Sequence, residues 1–205
     1  MKLFFSLPSP FARKVLVVLI ETDQISDVEL ESVKIGPLNP GEVIPNFNPL
    51  GKIPTLVLPT GEALIDSKLI CRFFGDKQKE GQIEKLYPTD DRIWEVLNYE
   101  ALADGIMEAA ILLVYEQRIR NQEQRVEGWV IAQKLKITRT LDFLETNSHK
   151  LQTGVNIGNL TVAIALDYLD FRHQNIEWRL GRPFLAQWYE TIRLRNSLIT
   201  TLPQD

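Results

Sequence analysis

A ten-residue stretch, residues 48–57, constrains the local fold more than any other part of the chain. Its Asn-Pro and Leu-Gly pairs indicate a turn, and the apolar, β-branched run that follows is typical of a strand. Because Pro54 cannot donate to a sheet ladder, it belongs at the first residue of a strand or on an edge. A cis bond after Ile53 would leave the Ile53 N–H and C=O free at the sheet rim, where an extended peptide could dock. The alternative is a loop and an ordinary edge strand, and the stretch alone favours neither.

The residues before this stretch predict a parallel strand pair. Lys2–Phe5 and residues 28–33 read as strands on either side of a helix over residues 11–22. Ser9 suits the N-cap of that helix and Pro10 its first position. Strand, helix and strand in this order form the βαβ pattern.

The residues after it predict a hairpin and a second helix. Residues 55–58 and 63–65 flank a tight Pro-Thr-Gly-Glu turn, which indicates an antiparallel pair. Asp66 and Ser67 then suit the cap of a helix that ends near Lys77 or Lys79. The first domain is therefore predicted to be α/β.

Beyond a polar stretch over residues 75–88, which indicates a linker, the pattern is helical throughout. The third predicted helix is apolar nearly all round, so we expect it to be buried at the centre of an all-helical domain. Asn156 is expected to cap it by accepting from the Asn159 amide. The predicted helices cover residues 92–118, 126–144, 155–171 and 183–194.

Composition excludes several classes of function. The net charge of −4 comes without a block of Lys and Arg, which disfavours nucleic-acid binding. The longest apolar run, residues 15–20, is too short to span a membrane. One cysteine, Cys71, and two histidines, His149 and His173, form no metal-ligand pattern, so no metal is predicted. The lone cysteine fits a reducing compartment, and we expect a cytoplasmic protein without a signal peptide.

Together these segments resemble the cytosolic glutathione S-transferases, specifically bacterial members with a serine-type active-site loop. The resemblance covers essentially the whole chain. It implies a thioredoxin-like βαβ-ββα domain over residues 1–80 and an all-helical domain over residues 87–205. The segments that carry it are SxxSPFARKV (residues 6–15), NPxGKIP (48–54), DS (66–67), EAxADG (100–105), LDYLDFR (166–172) and RxRNSL (193–198).

The resemblance implies that the protein uses glutathione as co-substrate and conjugates it to a small hydrophobic electrophile. Ser9 would be the catalytic residue, because a hydroxyl can donate a hydrogen bond to the glutathione thiolate and so favour ionisation of the thiol. A helix cap alone is the other interpretation of Ser9, and Ser6 is an alternative donor. Ile53, held by a cis Pro54, would pair its main chain with the cysteinyl unit. The resemblance also assigns Phe11 to the glutathione site.

Four further residues complete the implied glutathione site. Asp66 and Ser67, at a helix N-terminus, would hold the γ-glutamyl end, although a plain helix cap also explains them. Lys34 and Lys52 are candidates for the glycyl carboxylate. Lysines are more often solvated surface residues.

The long predicted helix offers candidates for the electrophile pocket or the side of a homodimer. These are Tyr99, Asp104 and Met107, for which core packing is the alternative. Asp104 also belongs to an acidic stripe with Glu100 and Glu108, at i, i+4 and i+8 of the helix, a pattern typical of a solvated face. His173 follows the predicted central helix, where a cation would suit the helix dipole.

Two rival functions share this fold. One is a non-catalytic interaction protein, similar to the stringent starvation proteins that bind RNA polymerase. The other is a glutathione-dependent thiol reductase, which Ser9 disfavours because a mixed disulfide needs a protein thiol.

Overall fold

The structure is a computed structural model, and it describes residues 1–79 and 85–205. The chain divides into two compact units. The first comprises Met1–Tyr87 together with Asn196–Asp205, and the second comprises Pro88–Arg195. Across the described residues, no helix combines the length and the apolar character that crossing a membrane requires.

A four-stranded mixed sheet forms the base of the first unit. Its strands are β1 (Lys2–Phe5), β2 (Glu29–Ser32), β3 (Thr55–Val57) and β4 (Ala63–Leu64), in the order β2-β1-β3-β4. β1 pairs with β2 in parallel, and β3 pairs with both β1 and β4 in antiparallel fashion. The predicted parallel pair and hairpin are therefore confirmed.

Two helices of the first unit pack against each other. They are α1 (Pro10–Glu21) and α2 (Ser67–Asp76). Each begins at the predicted cap, because Ser9 and Asp66 both accept from main-chain amides with their side chains. The packed helices bury an apolar core made of Val15, Val18, Leu19, Ile70 and Phe74.

The second unit is helical, as the sequence predicts. Its long helices are α3 (Arg92–Ile119), α4 (Glu127–Thr146), α5 (Ile157–Arg172) and α6 (Pro183–Ile192), and α3 packs against both α4 and α5. Residues 157–169 of α5 are all buried, which confirms its central position.

A last short helix, α7 (Asn196–Thr200), follows α6 and packs against α1 in the first unit. The sequence pattern did not predict it, because five residues are too few to display helical periodicity. The domain ranges 1–80 and 87–205 stay predictions, but contacts group the last ten residues with the first unit.

The predicted linker over residues 75–88 begins inside α2. Gly75 is a buried residue of that helix, and a Cβ built on it would lie 2.4 Å from Cδ2 of Tyr87. Tyr87 is itself buried, so the first unit includes the predicted linker up to Tyr87, and the second unit begins at Pro88. Residues 80–84 of the prediction lie outside the described residues.

Candidate functional site

The register of the sheet brings the ends of four strands to one edge. Phe5 of β1 lies beside Ser32 of β2, and Phe4 lies beside Thr55 of β3. In the hairpin, the partner of Leu56 is Leu64. The ends of β1, β2 and β4 and the start of β3 therefore share an edge. The chain continues from this edge through residues 6–9, 33–34, 53–54 and 65–67.

Ser9 follows the end of β1 and is the N-cap of α1. Its hydroxyl oxygen accepts from the Ala12 N–H at 3.3 Å, and its carbonyl accepts from the Arg13 N–H at 3.0 Å. Accepting occupies a lone pair and leaves the hydroxyl proton able to donate elsewhere. The side chain is half-buried at the positive end of the helix dipole. A capping role and a donor role are thus compatible in one residue.

Ile53 precedes β3 at the same edge. The Ile53–Pro54 peptide bond is cis, Ile53 is half-buried and Pro54 is buried. Within residues 1–79 and 85–205, the N–H and C=O of Ile53 make no hydrogen bond to another main-chain group. This donor and acceptor pair can accept an added extended segment.

Asn48 fixes the loop that leads to Ile53. Its buried Nδ2 donates to the Lys52 carbonyl at 2.9 Å and to the Thr55 hydroxyl at 3.1 Å, and its Oδ1 accepts from the Leu50 N–H at 3.0 Å. The Thr55 hydroxyl also donates to the Lys52 carbonyl, at 2.8 Å. Two buried side chains therefore hold the carbonyl immediately before Ile53.

Gly51 in this loop cannot be exchanged for a larger residue without a rearrangement. Its φ is +61°, in the left-handed region, and a Cβ built on it would lie 2.6 Å from Cβ of Pro40. The turn that presents Ile53 thus depends on glycine for both its dihedral angle and its close packing.

Asp66 and Ser67 lie where β4 ends and α2 begins. An Asp66 carboxylate oxygen accepts from the Leu69 N–H at 3.0 Å, which confirms the predicted cap, and its side chain is exposed. Ser67 is the first residue of α2 and is buried. The free amides of such a helix start, with its dipole, favour a carboxylate ligand.

The three remaining candidates in the first unit differ in exposure. Lys34 lies two residues after β2 and Lys52 one residue before Ile53, and both are exposed. Phe11 is half-buried in the first turn of α1. Both ammonium groups are therefore accessible to an anion.

The candidates on α3 belong to the second unit, and all are buried. Tyr99 is 4% exposed, Asp104 1% and Met107 0%. The Tyr99 hydroxyl contacts the Asn147 carbonyl at 3.5 Å. This burial favours the core-packing alternative for Tyr99 and Met107. Glu100 is also buried, so the solvated-face interpretation of the acidic stripe is wrong at two of its positions.

Tyrosine is the other side chain whose hydroxyl could assist a thiolate. Burial raises the pKa of Tyr99, Tyr115 and Tyr189, and it raises the pKa of Tyr168 to about 12. These hydroxyls are neutral near pH 7 and lie in the helical unit. At the sheet edge of the first unit, Ser9 and Ser67 carry hydroxyls at helix starts, Ser9 half-buried and Ser67 buried.

The chemistry available at this edge suits a short, extended, acidic peptide. Two helix starts favour anions, the Ile53 main chain can pair with a strand, and two lysines are accessible. In the part of the chain that the structure describes, no group of three or more His, Cys, Asp or Glu residues could hold a metal ion.

Comparison with known proteins identifies the family. Residues 8–77 match the family model for the N-terminal domain of glutathione S-transferases. The chain is 35% identical over 208 residues to the uncharacterized GST-like protein YibF of Escherichia coli K12, covering 99% of this chain and 98% of YibF. This chain belongs to the glutathione S-transferase family.

Solved structures of glutathione transferase family members agree with the fold of this family member. One, from Pseudomonas fluorescens Pf-5 with bound glutathione, is 40% identical, covers 100% of this chain and 99% of its own, and has a TM-score of 0.95. A second structure from that organism, with bound S-(propanoic acid)-glutathione, is 39% identical over 100% of both chains with a TM-score of 0.91. The thioredoxin-like first domain and helical remainder are therefore confirmed.

The sequence pattern assigns no role to several residues that support the site of this family member. The sequence predicts Asn48 only as part of a turn and Thr55 only as a strand residue. Arg13 belongs to the SxxSPFARKV segment but has no predicted role, although it is 2% exposed. A basic side chain within the apolar α1 pattern was the available signal for Arg13.

Proposed function

We propose that this protein binds glutathione, promotes ionisation of its thiol and conjugates it to a small electrophile. The observation that carries the proposal is the shared sheet edge, with the Ser9 hydroxyl, the unpaired Ile53 main chain and the Asp66–Ser67 helix start. Membership of the family and the glutathione bound to the Pseudomonas relative support it.

Ser9 is the proposed catalytic residue. A free thiol has a pKa near 8.5, so only a few per cent is thiolate at pH 7. A hydrogen bond from the Ser9 hydroxyl and the positive start of α1 both favour the thiolate. The thiolate then attacks an electrophilic carbon, and the protein contributes charge stabilisation and orientation.

The other candidates hold the tripeptide. The Ile53 N–H and C=O pair with the main chain of the cysteinyl unit, and Pro54 and Phe11 border that pairing. Asp66 pairs with the γ-glutamyl ammonium, and the first amides of α2 bind its carboxylate. The glycyl carboxylate is bound by Lys34 or Lys52, because both side chains are exposed and basic.

The electrophile is proposed to be small. The S-(propanoic acid)-glutathione in a Pseudomonas fluorescens structure is glutathione with a short acid on sulfur. Addition of glutathione to acrylate gives a conjugate of this kind, with the thiolate bonding to the β carbon and a proton to the α carbon. Acrylate therefore belongs in the assay beside 1-chloro-2,4-dinitrobenzene.

Family resemblance also supports a homodimer that works in the cytoplasm in detoxification. Sedimentation equilibrium tests the oligomeric state, since a monomer mass at micromolar protein contradicts the dimer. Fractionation of cells that express the chain tests the compartment.

Calorimetric titration with glutathione, followed by conjugation assays, tests the proposal. We expect saturable binding and conjugate formation that depends on protein concentration. If no heat of binding is measured at millimolar glutathione, the proposal is wrong. Binding without conjugation of either electrophile would favour the non-catalytic alternative.

A further inference from the structure

A buried arginine of α1, Arg13, forms hydrogen bonds to helix α7 and the residue after it. Arg13 lies in the first turn of α1 and is 2% exposed. Its Nη2 donates to the Leu198 carbonyl at 3.0 Å and its Nε to the Thr201 hydroxyl at 3.3 Å. Because α7 ends at Thr200, its last carbonyls need partners outside the helix, and the guanidinium supplies one.

A second contact joins the opposite ends of the same two helices. The Ser197 hydroxyl, at the start of α7, hydrogen-bonds to the carboxylate of Glu21, the last residue of α1. Ser197 is 1% exposed and Glu21 is half-buried, so this contact is partly shielded from solvent. Helix α7 is therefore held against α1 at both ends, and the two helices run antiparallel.

The position of Arg13 makes this contact relevant to Ser9. The Arg13 main-chain N–H donates to the Ser9 carbonyl, and the Ser9 hydroxyl oxygen accepts from the neighbouring Ala12 N–H. One hydrogen-bonded turn thus connects the α7 contact to the N-cap. A buried cation near a helix start opposes the helix dipole and loses hydration. Its hydrogen bonds to α7 offset that cost.

We propose that Arg13 is a positioning residue, which fixes the first turn of α1 against α7 and thereby sets the direction of the Ser9 hydroxyl. The effect on glutathione rests on the proposed function, whereas the effect on the first turn does not. Residues of α7, which are far from Ser9 in sequence, thus help to orient the Ser9 hydroxyl at the sheet edge.

Four variants separate this role from general packing. Arg13→Met removes the guanidinium. Arg13→Lys keeps the positive charge but lacks the planar guanidinium with its several N–H donors. Thr201→Val removes the hydroxyl that accepts from Arg13 Nε at 3.3 Å and donates to the Ser197 carbonyl at 2.6 Å. Thr200→Val is the matched control, because the Thr200 hydroxyl also bonds to the carbonyl four residues earlier but is exposed.

The first measurement is amide hydrogen exchange in the free protein, which needs no glutathione. We expect Arg13→Met and Thr201→Val to speed exchange of the main-chain amides at positions 12 and 13. Exchange in β1 and β3 should be unchanged, and Thr200→Val should behave like the parent. The second measurement is the pH midpoint for thiolate formation by bound glutathione. It should rise by about half a unit in Arg13→Met, with kcat for conjugation about tenfold lower. Arg13→Lys should lie between Arg13→Met and the parent.

Each outcome decides the question. Unchanged exchange of the amides at positions 12 and 13 in both Arg13→Met and Thr201→Val overturns the proposal, as does faster exchange with parent values of kcat and the pH midpoint. If Arg13→Met fails to fold, the comparison of Thr201→Val with Thr200→Val decides alone. A parent that binds no glutathione disproves the proposed function, and the exchange data then still test the positioning of the first turn.

Discussion

The starts of α1 and α5 use the same capping chemistry in opposite surroundings. Ser9 and Asn156 each accept from a main-chain amide three residues later, at 3.3 and 3.0 Å. Ser9 is half-buried, and its hydroxyl keeps a proton that it can donate. Asn156 is buried, and the Asn159 side chain beside it donates to the carbonyls of Leu151 and Gly154 at 2.9 and 2.7 Å.

The difference shows how a helix start can serve either stability or chemistry. At α5 the polar groups around the cap are used in buried hydrogen bonds, so the site has little capacity for a ligand. At α1 the cap uses a lone pair only, and at the same sheet edge the Ile53 N–H and C=O make no main-chain hydrogen bond within the described residues. We therefore expect substitutions at α1 to affect conjugation most and substitutions at α5 to affect unfolding most.

Ser9→Ala is expected to have the largest effect on activity. Removal of one donor to a developing charge costs about 2–4 kcal/mol of transition-state stabilisation, whereas the lost cap costs about 1 kcal/mol of folding stability. Conjugation rates at saturating glutathione should therefore fall by about two orders of magnitude, with little change in the dissociation constant for glutathione.

Ser6→Ala is the matched control for Ser9, because Ser6 is also half-buried at the end of β1. It should conjugate at nearly the parent rate. A parent-like rate in Ser9→Ala would rule out its hydroxyl as the activating group, and a loss in Ser6→Ala alone would assign that role to Ser6.

Asn159→Ala should produce the opposite result. It removes the side-chain donor of the Gly154 carbonyl and one of the two side-chain donors of the Leu151 carbonyl, which keeps the Trp188 indole N–H. A buried unsatisfied group costs about 1–3 kcal/mol. We expect the free energy of unfolding, measured in urea, to fall by about 2–3 kcal/mol, with unchanged glutathione affinity. Asn46→Ala, which removes a single exposed bond, should stay within about 0.5 kcal/mol of the parent. Equal losses in the two variants would contradict the comparison.

Asp66→Asn tests the second exposed cap. Asparagine caps a helix as well as aspartate does, so stability should hardly change. The lost charge should weaken glutathione binding by about tenfold, since exposure reduces the 1.5–3 kcal/mol of a charge-assisted bond. Asp76→Asn, at the other end of α2, is the control, and glutathione affinity is measured for both variants by calorimetry. Equal affinities in the two variants would remove Asp66 from the site.

Local chemistry explains what the sequence predicted. Ser9, Asp66 and Asn156 were expected as caps because a cap depends on amides two or three residues away. The strand pairs followed from alternation and from the turn residues between them. Helix ends differ from the predictions by one or two residues, as at α5, which begins at Ile157.

Long-range hydrogen bonds explain what it did not predict. The bonds from Arg13 to Leu198 and Thr201 join residues 185 and 188 positions apart, and no local pattern specifies such a partner. Asn48 and Thr55 both donate to the Lys52 carbonyl, and this depends on how the loop over residues 48–54 folds back on itself. Burial of Met107 depends on which face of α3 packs against other helices. Because α3 is weakly amphipathic, the sequence does not indicate that face.

The C-terminal end of α5 extends the comparison to pH. His173 follows α5, but the expected cation is wrong there: the side chain is buried and its Nε2 bonds to the Ala110 carbonyl at 2.9 Å. Burial lowers the pKa of His173 below its ordinary value near 6.5, and the charges of Lys134 and Arg172 lower it further, although the Ala110 bond opposes them.

The unfolded chain therefore binds a proton more readily than the folded one does. Stability from His173 is present above about pH 6.5 and is lost as the pH falls toward the lowered pKa. We expect the melting temperature to fall from pH 7.5 to pH 5.5, and His173→Gln, which keeps a donor for Ala110, to flatten that slope. His149→Gln removes the only other histidine, an exposed one, and should keep the parent slope. If the melting temperature of His149→Gln did not depend on pH while that of His173→Gln followed the parent, the pH response would belong to the exposed His149. That result would contradict a role for the buried His173 at the end of α5.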